Sequence, residues 1–436
     1  MVKNVEKCFV RYGEEKWYFN PPSGWNVLTF AKFPDRLQET DVAELTRSAL
    51  NNPVRSHPLK KRISPSDTVA ILIEDQTRAS PKKIILKTLL EELDKAGVPR
   101  KNISVIVALG THRPLSTEEL EAIYGEDAVR GYDFSNHDCQ APDLVPVGKL
   151  KTGAVVKINR RVHEARFRIG IGSVFPHSLN GFGGGGKILF PGVSNFDAIL
   201  EHHLKYSFRG GSELGRLQGN PFYEEVCALA RKAGLHFIVN GVLDQNDRLY
   251  AVVGGDPVEA HLAGVDLCRG ITSQAFQKRA DLTLISAFPY TEGPQIMKPF
   301  GAASMITREG GVIILVARCT SPLPDVYLDG CERFRMKYNN RLTEGVFELF
   351  DAKRRIIEAG APELNMSAAQ ALLTQQNFRV ILVSKDIPRE SAERLGFLFA
   401  EGLQEAFVMS ANLIPNAEVH IVPSGGVILP VIQGGE

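Results

Sequence analysis

The stretch Thr68-Val-Ala-Ile-Leu-Ile-Glu74 decides the fold class, because a short apolar run between polar residues is typical of a strand buried on both faces. A helical pattern follows, with apolar residues three to four positions apart over 85–93. Ser80 is the expected N-cap, Pro81 the first helical residue and Gly97 the end of the helix. A buried strand followed by an amphipathic helix is the unit of a parallel α/β sheet.

The same alternation of apolar run, polar loop and helix returns along the chain. The further apolar runs are Ile103–Leu109, Ala165–Val174, Asp281–Phe288, Gly311–Ala317, Phe378–Ser384 and Ala417–Pro423. The alternation predicts an α/β fold with two domains, 1–270 and 271–436, each with a mostly parallel sheet flanked by helices. Ligands bind beyond the carboxyl ends of such strands, so we expect the active site in the cleft between the domains.

The overall composition is that of an ordinary globular protein. Among 436 residues, 51 Lys and Arg balance 50 Asp and Glu, which argues against nucleic acid or an anionic membrane as the main partner. The six cysteines are scattered without a C-x-x-C motif, and no apolar stretch is long enough for a membrane span. We therefore expect a cytoplasmic protein with a small-molecule substrate, and a homodimer remains one alternative for its assembly.

Polar side chains cluster where the apolar runs end. These residues are Asp75, Gln76, Thr77 and Arg78 after the first run, His112 after the second, His177 after the third, and Gln295 in the second half of the chain. Histidines at a shared sheet edge favour acid–base chemistry near neutral pH. The structural alternative is that the histidines are ordinary buried or surface residues and that Asp75 and Arg78 form an ion pair that stabilises the turn.

The stretch Asn180-Gly-Phe-Gly-Gly-Gly-Gly-Lys187-Ile-Leu-Phe-Pro-Gly192 is the least ordinary feature. It resembles a P-loop, but Ile188 stands where the Mg²⁺-binding hydroxyl belongs. It also resembles a dinucleotide loop, but Pro191 follows where a helix should continue. The glycines predict close approach of the backbone to a ligand, with Lys187 as a nucleophile or attachment point. A flexible loop with a solvent-facing lysine is the alternative.

A short helical pattern ends with two adjacent histidines, His202 and His203. The second of them lies sixteen residues after Lys187. Neighbouring residues on a helix point about 100° apart, so only one of them can face a given site. Most metal sites in proteins need three or four ligands. A single histidine therefore predicts a metal site only if another molecule supplies the remaining donors.

Taken together, these motifs resemble the nickel-dependent lactate racemase family, whose members racemise or epimerise 2-hydroxy acids with a nickel-pincer nucleotide. The resemblance rests on 75–78, on Gly110-Thr-His112-Arg-Pro, on His177 ten residues before Lys187, on His203, and on Gln295 with Lys298. It spans most of the chain, and the order and spacing of the motifs are more specific than any single motif.

The resemblance implies a role for each of these residues. Lys187 would carry the cofactor, Ni(II)-pyridinium-3,5-bisthiocarboxylic acid mononucleotide, through a thioamide, and His203 would be the nickel ligand. A donor set of sulfur and imidazole in a plane suits Ni(II). The remaining implied roles are Asp75, Gln76, Thr77 and Arg78 for cofactor binding, and Arg78, Gln295 and Lys298 for substrate binding. Separate maturation enzymes would be partners, because the cofactor must be made before it is attached.

The implied mechanism is a hydride shuttle with His112 and His177 as the catalytic pair. One histidine would remove the hydroxyl proton as hydride leaves C2 for the cofactor, and the other would return a proton after hydride comes back to the opposite face.

Two departures concern the substrate. Pro294 stands where lactate-racemising members carry Tyr, and the region around Met366 lacks the Trp expected there. Both changes predict a substrate bulkier than lactate, since Met adapts to varied shapes.

Two other classes of function compete with this interpretation. An NAD-type 2-hydroxyacid dehydrogenase would share the fold, but it needs a strand–glycine loop–helix unit followed by an acidic residue, which the sequence does not provide. A non-catalytic small-molecule binding protein could also keep two histidines and a lysine, so activity is needed to exclude it.

Overall fold

The structure is a computed structural model that describes residues 7–31, 41–77 and 80–433. The strands are β1 (Cys8–Tyr12), β2 (Glu15–Phe19), β3 (Trp25–Phe30), β4 (Val69–Ile73), β5 (Ile103–Val107), β6 (Asp133–Asn136), β7 (Val145–Lys149), β8 (Val155–Ile158), β9 (Phe167–Val174), β10 (Pro176–His177), β11 (Gly181–Phe182), β12 (Phe237–Leu243), β13 (Leu249–Gly255), β14 (Ser273–Phe276), β15 (Ala280–Ser286), β16 (Thr307–Val316), β17 (Arg379–Val383), β18 (Leu398–Ala400), β19 (Ala417–Val422) and β20 (Leu429–Ile432).

Helices connect most of these strands. They are α1 (Val42–Asn51), α2 (Leu59–Arg62), α3 (Lys82–Lys95), α4 (Thr117–Tyr124), α5 (Glu126–Gly131), α6 (Arg160–Glu164), α7 (Phe196–Tyr206), α8 (Pro221–Lys232), α9 (Glu259–Thr272), α10 (Phe300–Ile306), α11 (Asp325–Tyr338), α12 (Leu342–Asp351), α13 (Pro362–Asn377), α14 (Arg389–Arg394) and α15 (Leu403–Leu413), with 3₁₀ turns at Arg100–Asn102, Gly185–Ile188 and Gly293–Met297. Within the described ranges, no helix is long and apolar enough to cross a membrane.

The chain divides into two compact units, which we call the central unit (described residues 41–271) and the split unit (7–31 with 272–433). The central unit has a six-stranded sheet in the order β13-β12-β9-β4-β5-β6, parallel except for β13 at one edge. The split unit has a six-stranded sheet in the order β18-β17-β16-β15-β19-β3, parallel throughout. The predicted α/β class with two parallel sheets is confirmed.

The units differ from the predicted domains 1–270 and 271–436 at the N-terminus. The junction lies between 271 and 272, close to the predicted boundary. Residues 7–31, however, join the split unit, because β3 pairs with β19 and completes the edge of the second sheet. The apolar pattern of a strand does not indicate its partner, so local periodicity could not reveal this pairing.

Each sheet has its own core. In the central unit, the strand β4 is completely buried, and Ile85, Leu89 and Leu93 of α3 pack on it without measurable exposure. These are the positions that the helical pattern predicted. The start of α3 differs from prediction: Pro81 is the N-cap residue and the Ser80 side chain does not cap the helix. At the start of α4, Ser116 and Glu119 form a capping box, which their spacing of three residues favours.

Candidate active site

Asp75 and His112 form a hydrogen-bonded pair beyond the carboxyl ends of the neighbouring strands β4 and β5. Asp75 Oδ2 lies 2.5 Å from His112 Nδ1. The other carboxylate oxygen accepts hydrogen bonds from the Thr77 backbone N–H at 2.9 Å and from its hydroxyl at 2.5 Å. Asp75 is buried, whereas the His112 side chain is 29% exposed. The carboxylate therefore holds the ring through Nδ1 and leaves Nε2 as the nitrogen that can exchange a proton.

Glu74 lies directly before this pair and is also buried. Its carboxylate accepts hydrogen bonds from the hydroxyls of Ser80 and Ser173, and its carbonyl accepts one from the Tyr124 hydroxyl at 2.8 Å. This explains why Ser80 does not cap α3, since its hydroxyl serves Glu74 instead. The network holds the end of β4, and thus the backbone of Asp75, in one position.

His177 follows β9 and is held differently from His112. Its Nδ1 accepts hydrogen bonds from the backbone N–H groups of Leu179 and Asn180, at 3.2 and 3.1 Å. Its Nε2 lies 2.8 Å from Lys187 Nζ. Because Nδ1 serves as an acceptor, the neutral ring carries its proton on Nε2. The histidine and the loop lysine that the sequence singled out are therefore in direct contact.

The Gly-rich segment is tightly packed. A Cβ atom built on Gly183 would lie 2.4 Å from a ring carbon of Phe175, and one built on Gly186 would lie 2.8 Å from the Ala230 Cβ. Protein side chains thus account for the absence of Cβ atoms at these positions, and the predicted approach of a ligand to this backbone stays a prediction. The alternative of a flexible loop fails, because the segment forms a buried 3₁₀ turn. The glycines allow the backbone that carries Lys187 to pack closely against neighbouring elements.

His203 and His202 have different environments within α7. His203 Nδ1 lies 2.8 Å from the carbonyl of Ile199, so this nitrogen donates and Nε2 keeps its lone pair. Burial lowers the pKa of His203 to about 4, so the ring is neutral near pH 7. Neutral imidazole with its other N–H bonded to a carbonyl is the usual state of a metal ligand.

The ring of the neighbouring His202 is completely buried and packs on Phe190 and Phe222, with centroids 5.0 and 4.2 Å away. Its Nε2 lies 3.3 Å from the Phe222 carbonyl, and its Nδ1 is buried without a hydrogen-bond partner in the described part of the chain. Because the Nε2 of His202 is engaged by a carbonyl whereas the Nε2 of His203 keeps its lone pair, His203 is the better candidate for a metal ligand.

The remaining predicted cofactor residues are partly described. Gln76 Oε1 is buried and accepts no hydrogen bond within the described residues, which makes it an acceptor that a bound polar group would satisfy. Arg78 lies outside the described residues. In 7–31, 41–77 and 80–433, no three His, Cys, Asp or Glu side chains come together to hold a metal. A metal at His203 therefore needs donors from another molecule, as the single histidine suggested.

Gln295 and Lys298 lie in the split unit, in and after the 3₁₀ turn Gly293–Met297. Lys298 Nζ donates a hydrogen bond to Gln295 Oε1 at 2.8 Å and lies 4.4 Å from the centroid of the Tyr290 ring. The Ser367 hydroxyl donates to the carbonyl of Pro294 at 2.5 Å, which brings α13 against this turn. Met366, on α13, is buried. The predicted cleft, with these residues facing the histidines, stays a prediction.

Sequence reasoning missed three contributions to this region. It gave Asp75 a role in cofactor binding and missed its hydrogen bond with His112, because the two residues lie 37 positions apart in sequence. It missed Asn240 and His261, which contact the Gly-rich segment from β12 and α9. Asn240 did give a signal, since it interrupts the fully buried run Phe237–Leu243. A polar residue in a buried strand requires a partner. For His261 no sequence signal exists.

Comparisons with known proteins identify relatives of this chain. Residues 12–215 match the family model "Lactate racemase N-terminal domain". A lactate racemase from Thermoanaerobacterium thermosaccharolyticum is 26% identical over 437 residues, which cover 97% of this chain and 98% of the relative. A lactate racemase from Lactiplantibacillus plantarum is 31% identical over 299 residues, which cover 68% of this chain and 70% of the relative.

Solved structures share the fold. The lactate racemase apoprotein from Thermoanaerobacterium thermosaccharolyticum superposes with a TM-score of 0.84 at 24% identity and covers 98% of this chain and all of that one. A Thermotoga maritima protein gives a TM-score of 0.63 at 18% identity, over 90% of this chain and 98% of that one. These two likenesses concern the fold alone. The sequence relatives go further: this chain belongs to the lactate racemase family and is an isomerase of the racemase class.

Proposed function

We propose that this enzyme inverts the C2 centre of a 2-hydroxy carboxylate, with His112 and His177 exchanging protons with the substrate. The observation that carries the proposal is the contact of 2.5 Å between Asp75 Oδ2 and His112 Nδ1. A buried carboxylate that orients a partly exposed histidine is the arrangement of a general base. A dehydrogenase would use the same pair, and the relatives that are lactate racemases favour racemisation over that alternative.

His112 would take the hydroxyl proton of one enantiomer. Asp75 accepts the Nδ1–H of the ring, so Nε2 carries the lone pair that a base needs. When the ring gains a proton, the carboxylate stabilises the positive charge. Burial of Asp75 and its two bonds from Thr77 keep the carboxylate in place through this change.

His177 would serve the opposite face of the substrate. Its Nε2 is the atom that would exchange a proton. It can act as a base only in the tautomer with the lone pair on Nε2, which requires the two backbone N–H groups to release Nδ1. The Nε2 atom lies beside Lys187, where the cofactor would be attached. Racemisation runs both ways, so each ring acts as acid in one direction and as base in the other.

The cofactor would be a nickel-pincer nucleotide, and the residues present fit it. When bound, such a group would take up and return the C2 hydrogen as hydride. Lys187 offers the amine for covalent attachment, and His203 offers a neutral imidazole to nickel. Gln76 contributes a buried acceptor, and Asp75, Thr77 and Arg78 complete the proposed contacts to the cofactor. Enzymes that make the cofactor would be required partners.

Gln295 and Lys298 would bind the substrate carboxylate and the oxygen at C2, together with Arg78. Lys298 is already oriented by Gln295 and by the face of Tyr290, so its charge needs little reorganisation to meet an anion. The substrate would be bulkier than lactate. Supporting this, Pro294 takes the place of a Tyr, and the helix that carries Met366 packs on the same turn.

The direct test is a panel of single-enantiomer 2-hydroxy acids, including lactate, longer aliphatic, aromatic, dicarboxylic and sugar acids. The enzyme is produced in a host that makes the cofactor, and the products are separated by chiral chromatography. We expect interconversion in both directions without added NAD, fastest for a substrate larger than lactate. Lactate as the best substrate would contradict the proposed pocket. If protein that contains nickel and a modified Lys187 interconverts none of these acids, the proposed racemisation of 2-hydroxy acids is contradicted.

The contact that carries the proposal has its own test in Asp75→Asn. The amide cannot stabilise a charged His112, so we expect turnover to fall by ~10–100-fold. Nickel content and the mass of the Lys187 peptide report whether the cofactor is kept. Loss of turnover with full cofactor supports the role beside His112, whereas loss of the cofactor would assign Asp75 to binding.

A further inference from the structure

Two buried side chains behind the Gly-rich segment have no part in the proposed mechanism. His261, on α9, is 1% exposed and lies with its Nε2 2.8 Å from the carbonyl oxygen of Gly183. Asn240, on β12, is completely buried and accepts a hydrogen bond from the Gly185 N–H at 2.8 Å. The segment is thus held at two backbone positions by two elements distant in sequence.

The direction of the hydrogen bond from His261 is fixed by its surroundings. Gly183 offers only a carbonyl here, so His261 Nε2 must donate, and in the neutral ring Nδ1 is then an acceptor. The Tyr223 hydroxyl lies 3.4 Å from Nδ1 and can donate to it. Burial lowers the pKa of His261 to about 4, which keeps the ring neutral. Burial also raises the pKa of Tyr223, which keeps its hydroxyl protonated.

The same two side chains fill the space beside the segment. A Cβ atom on Gly184 would lie 2.8 Å from Asn240 Oδ1, and one on Gly185 would lie 2.7 Å from His261 Cγ. Both glycines have positive φ angles, of 81° and 58°, which other residues rarely adopt. A side chain at either position would therefore clash with Asn240 or His261, so these two side chains pack directly against the glycine backbone.

Lys187 belongs to the turn that is held in this way. It lies in the 3₁₀ turn Gly185–Ile188, and its N–H points to the Gly184 carbonyl at 3.3 Å. A shift of Gly183 to Gly185 therefore shifts Lys187 and changes the 2.8 Å distance between its Nζ and His177 Nε2.

We propose that His261 and Asn240 are positioning residues that set the place of the Lys187 amine beside His177. The inference rests on the proposed function in one respect, namely that a cofactor is attached to Lys187. Neither side chain touches the reacting atoms in this account. They act through the backbone of the Gly-rich segment.

The test compares His261→Leu with His261→Gln and with a matched control. His261→Leu removes the donor to Gly183 and keeps an apolar side chain, whereas Gln can restore a donor from its amide. The control is His420→Leu in the split unit, because His420 is also completely buried and bonds a backbone carbonyl, that of Lys278 at 2.9 Å. The measurements are the melting temperature, amide hydrogen exchange of 183–187, and the fraction of Lys187 peptide that carries an adduct.

We expect His261→Leu to speed amide exchange of 183–187 by ~10-fold, the effect of losing about one buried hydrogen bond. The adduct fraction should fall in the same variant, and His261→Gln should restore both values. His420→Leu should lower the melting temperature similarly without changing either value. Asn240→Ala, which removes the acceptor for Gly185, should act like His261→Leu and serves as the second variant if His261→Leu does not fold.

Wild-type exchange and adduct fraction in both His261→Leu and Asn240→Ala would overturn the inference. Equal changes in His420→Leu would also overturn it, since the effect would then be one of general stability. The exchange measurement needs no cofactor. A wild-type protein without any adduct would contradict the proposed function, and the exchange rates would still decide whether the two side chains hold the segment.

Discussion

The central unit and the split unit share a fold class, yet their titratable groups differ. Both contain a six-stranded, mostly parallel sheet between helices. Of the ten histidines in the chain, nine belong to the central unit and only His420 to the split unit. The central unit also holds Lys187 and the Asp75–His112 pair, whereas the split unit offers Gln295 and Lys298. Under the proposed function, proton transfer would belong to the central unit, and the split unit would contribute Gln295 and Lys298 to substrate binding.

This division is not dictated by the fold. In both units the candidate residues follow the carboxyl ends of parallel strands, as is usual for such sheets. The side chains placed there decide the chemistry. A buried carboxylate beside a histidine makes a base, and an amide beside a lysine makes an anion site. The predictions below test whether substitutions in the two units have different effects on cofactor content, turnover and substrate affinity.

The largest effect is expected for Lys187→Ala in the central unit. The variant should fold but carry no covalently bound cofactor, because the amine that would attach it is removed. Nickel should be lost as well, because one imidazole alone holds nickel weakly. Nickel analysis and intact mass measure the loss. The control is Lys205→Ala, since Lys205 is exposed on α7. Full nickel retention in Lys187→Ala would contradict the attachment at this residue.

Next in size are His112→Ala and His177→Ala. Each should lower turnover in both directions by ~10²–10⁴-fold, since every cycle needs a proton removed on one face and delivered on the other. Initial rates from each enantiomer measure the effect, with cofactor content checked. The exposed His163 provides the control substitution, His163→Ala. A variant with near-normal rates in either direction would remove that histidine from the pair.

The split unit should respond differently, by losing affinity. Lys298→Gln removes the charge that would meet the substrate carboxylate, and we expect kcat/KM to fall by ~10–100-fold, mostly through a higher KM. Lys337→Gln is the matched control, because Lys337 also lies over a tyrosine ring of this unit, Tyr338, at 4.8 Å. A fall in kcat alone would assign Lys298 to the chemical step and weaken the division between the units.

The sequence predicted the parts of this architecture that depend on local pattern. Buried runs such as Val69–Ile73, the apolar face of α3 and the capping box of α4 follow from spacing alone. The histidines and the lysine could be singled out because they follow such runs. Contacts between distant residues could not be predicted, as the pairing of β3 with β19 shows.

The same limit applied to the candidate site. The sequence could not show which protein groups pack on the glycines, because Asn240 and His261 come from elements more than fifty residues away in sequence. A run of glycines indicates close approach by something, and only the fold reveals what approaches.

The smallest effect at neutral pH, and the last test of the comparison, is acid stability. Burial lowers the pKa of His236 and of His261 to about 4, and it also lowers the pKa of His137 and His202. All belong to the central unit, whereas His420 is the one histidine of the split unit with a lowered pKa.

The unfolded chain takes up protons near the ordinary histidine pKa of about 6.5, while the folded unit does not until near pH 4. Stability is therefore unaffected at pH 7 and falls as the pH drops from about 6.5 to about 4, more in the central unit. Amide exchange resolved by segment, at pH 7, 6 and 5, measures the two units separately. His236→Asn should reduce the loss, because an amide oxygen can accept the Arg168 N–H that His236 Nδ1 now accepts at 3.1 Å and does not titrate. Equal loss in both units would contradict the asymmetry, and an unchanged loss in His236→Asn would remove His236 from its cause.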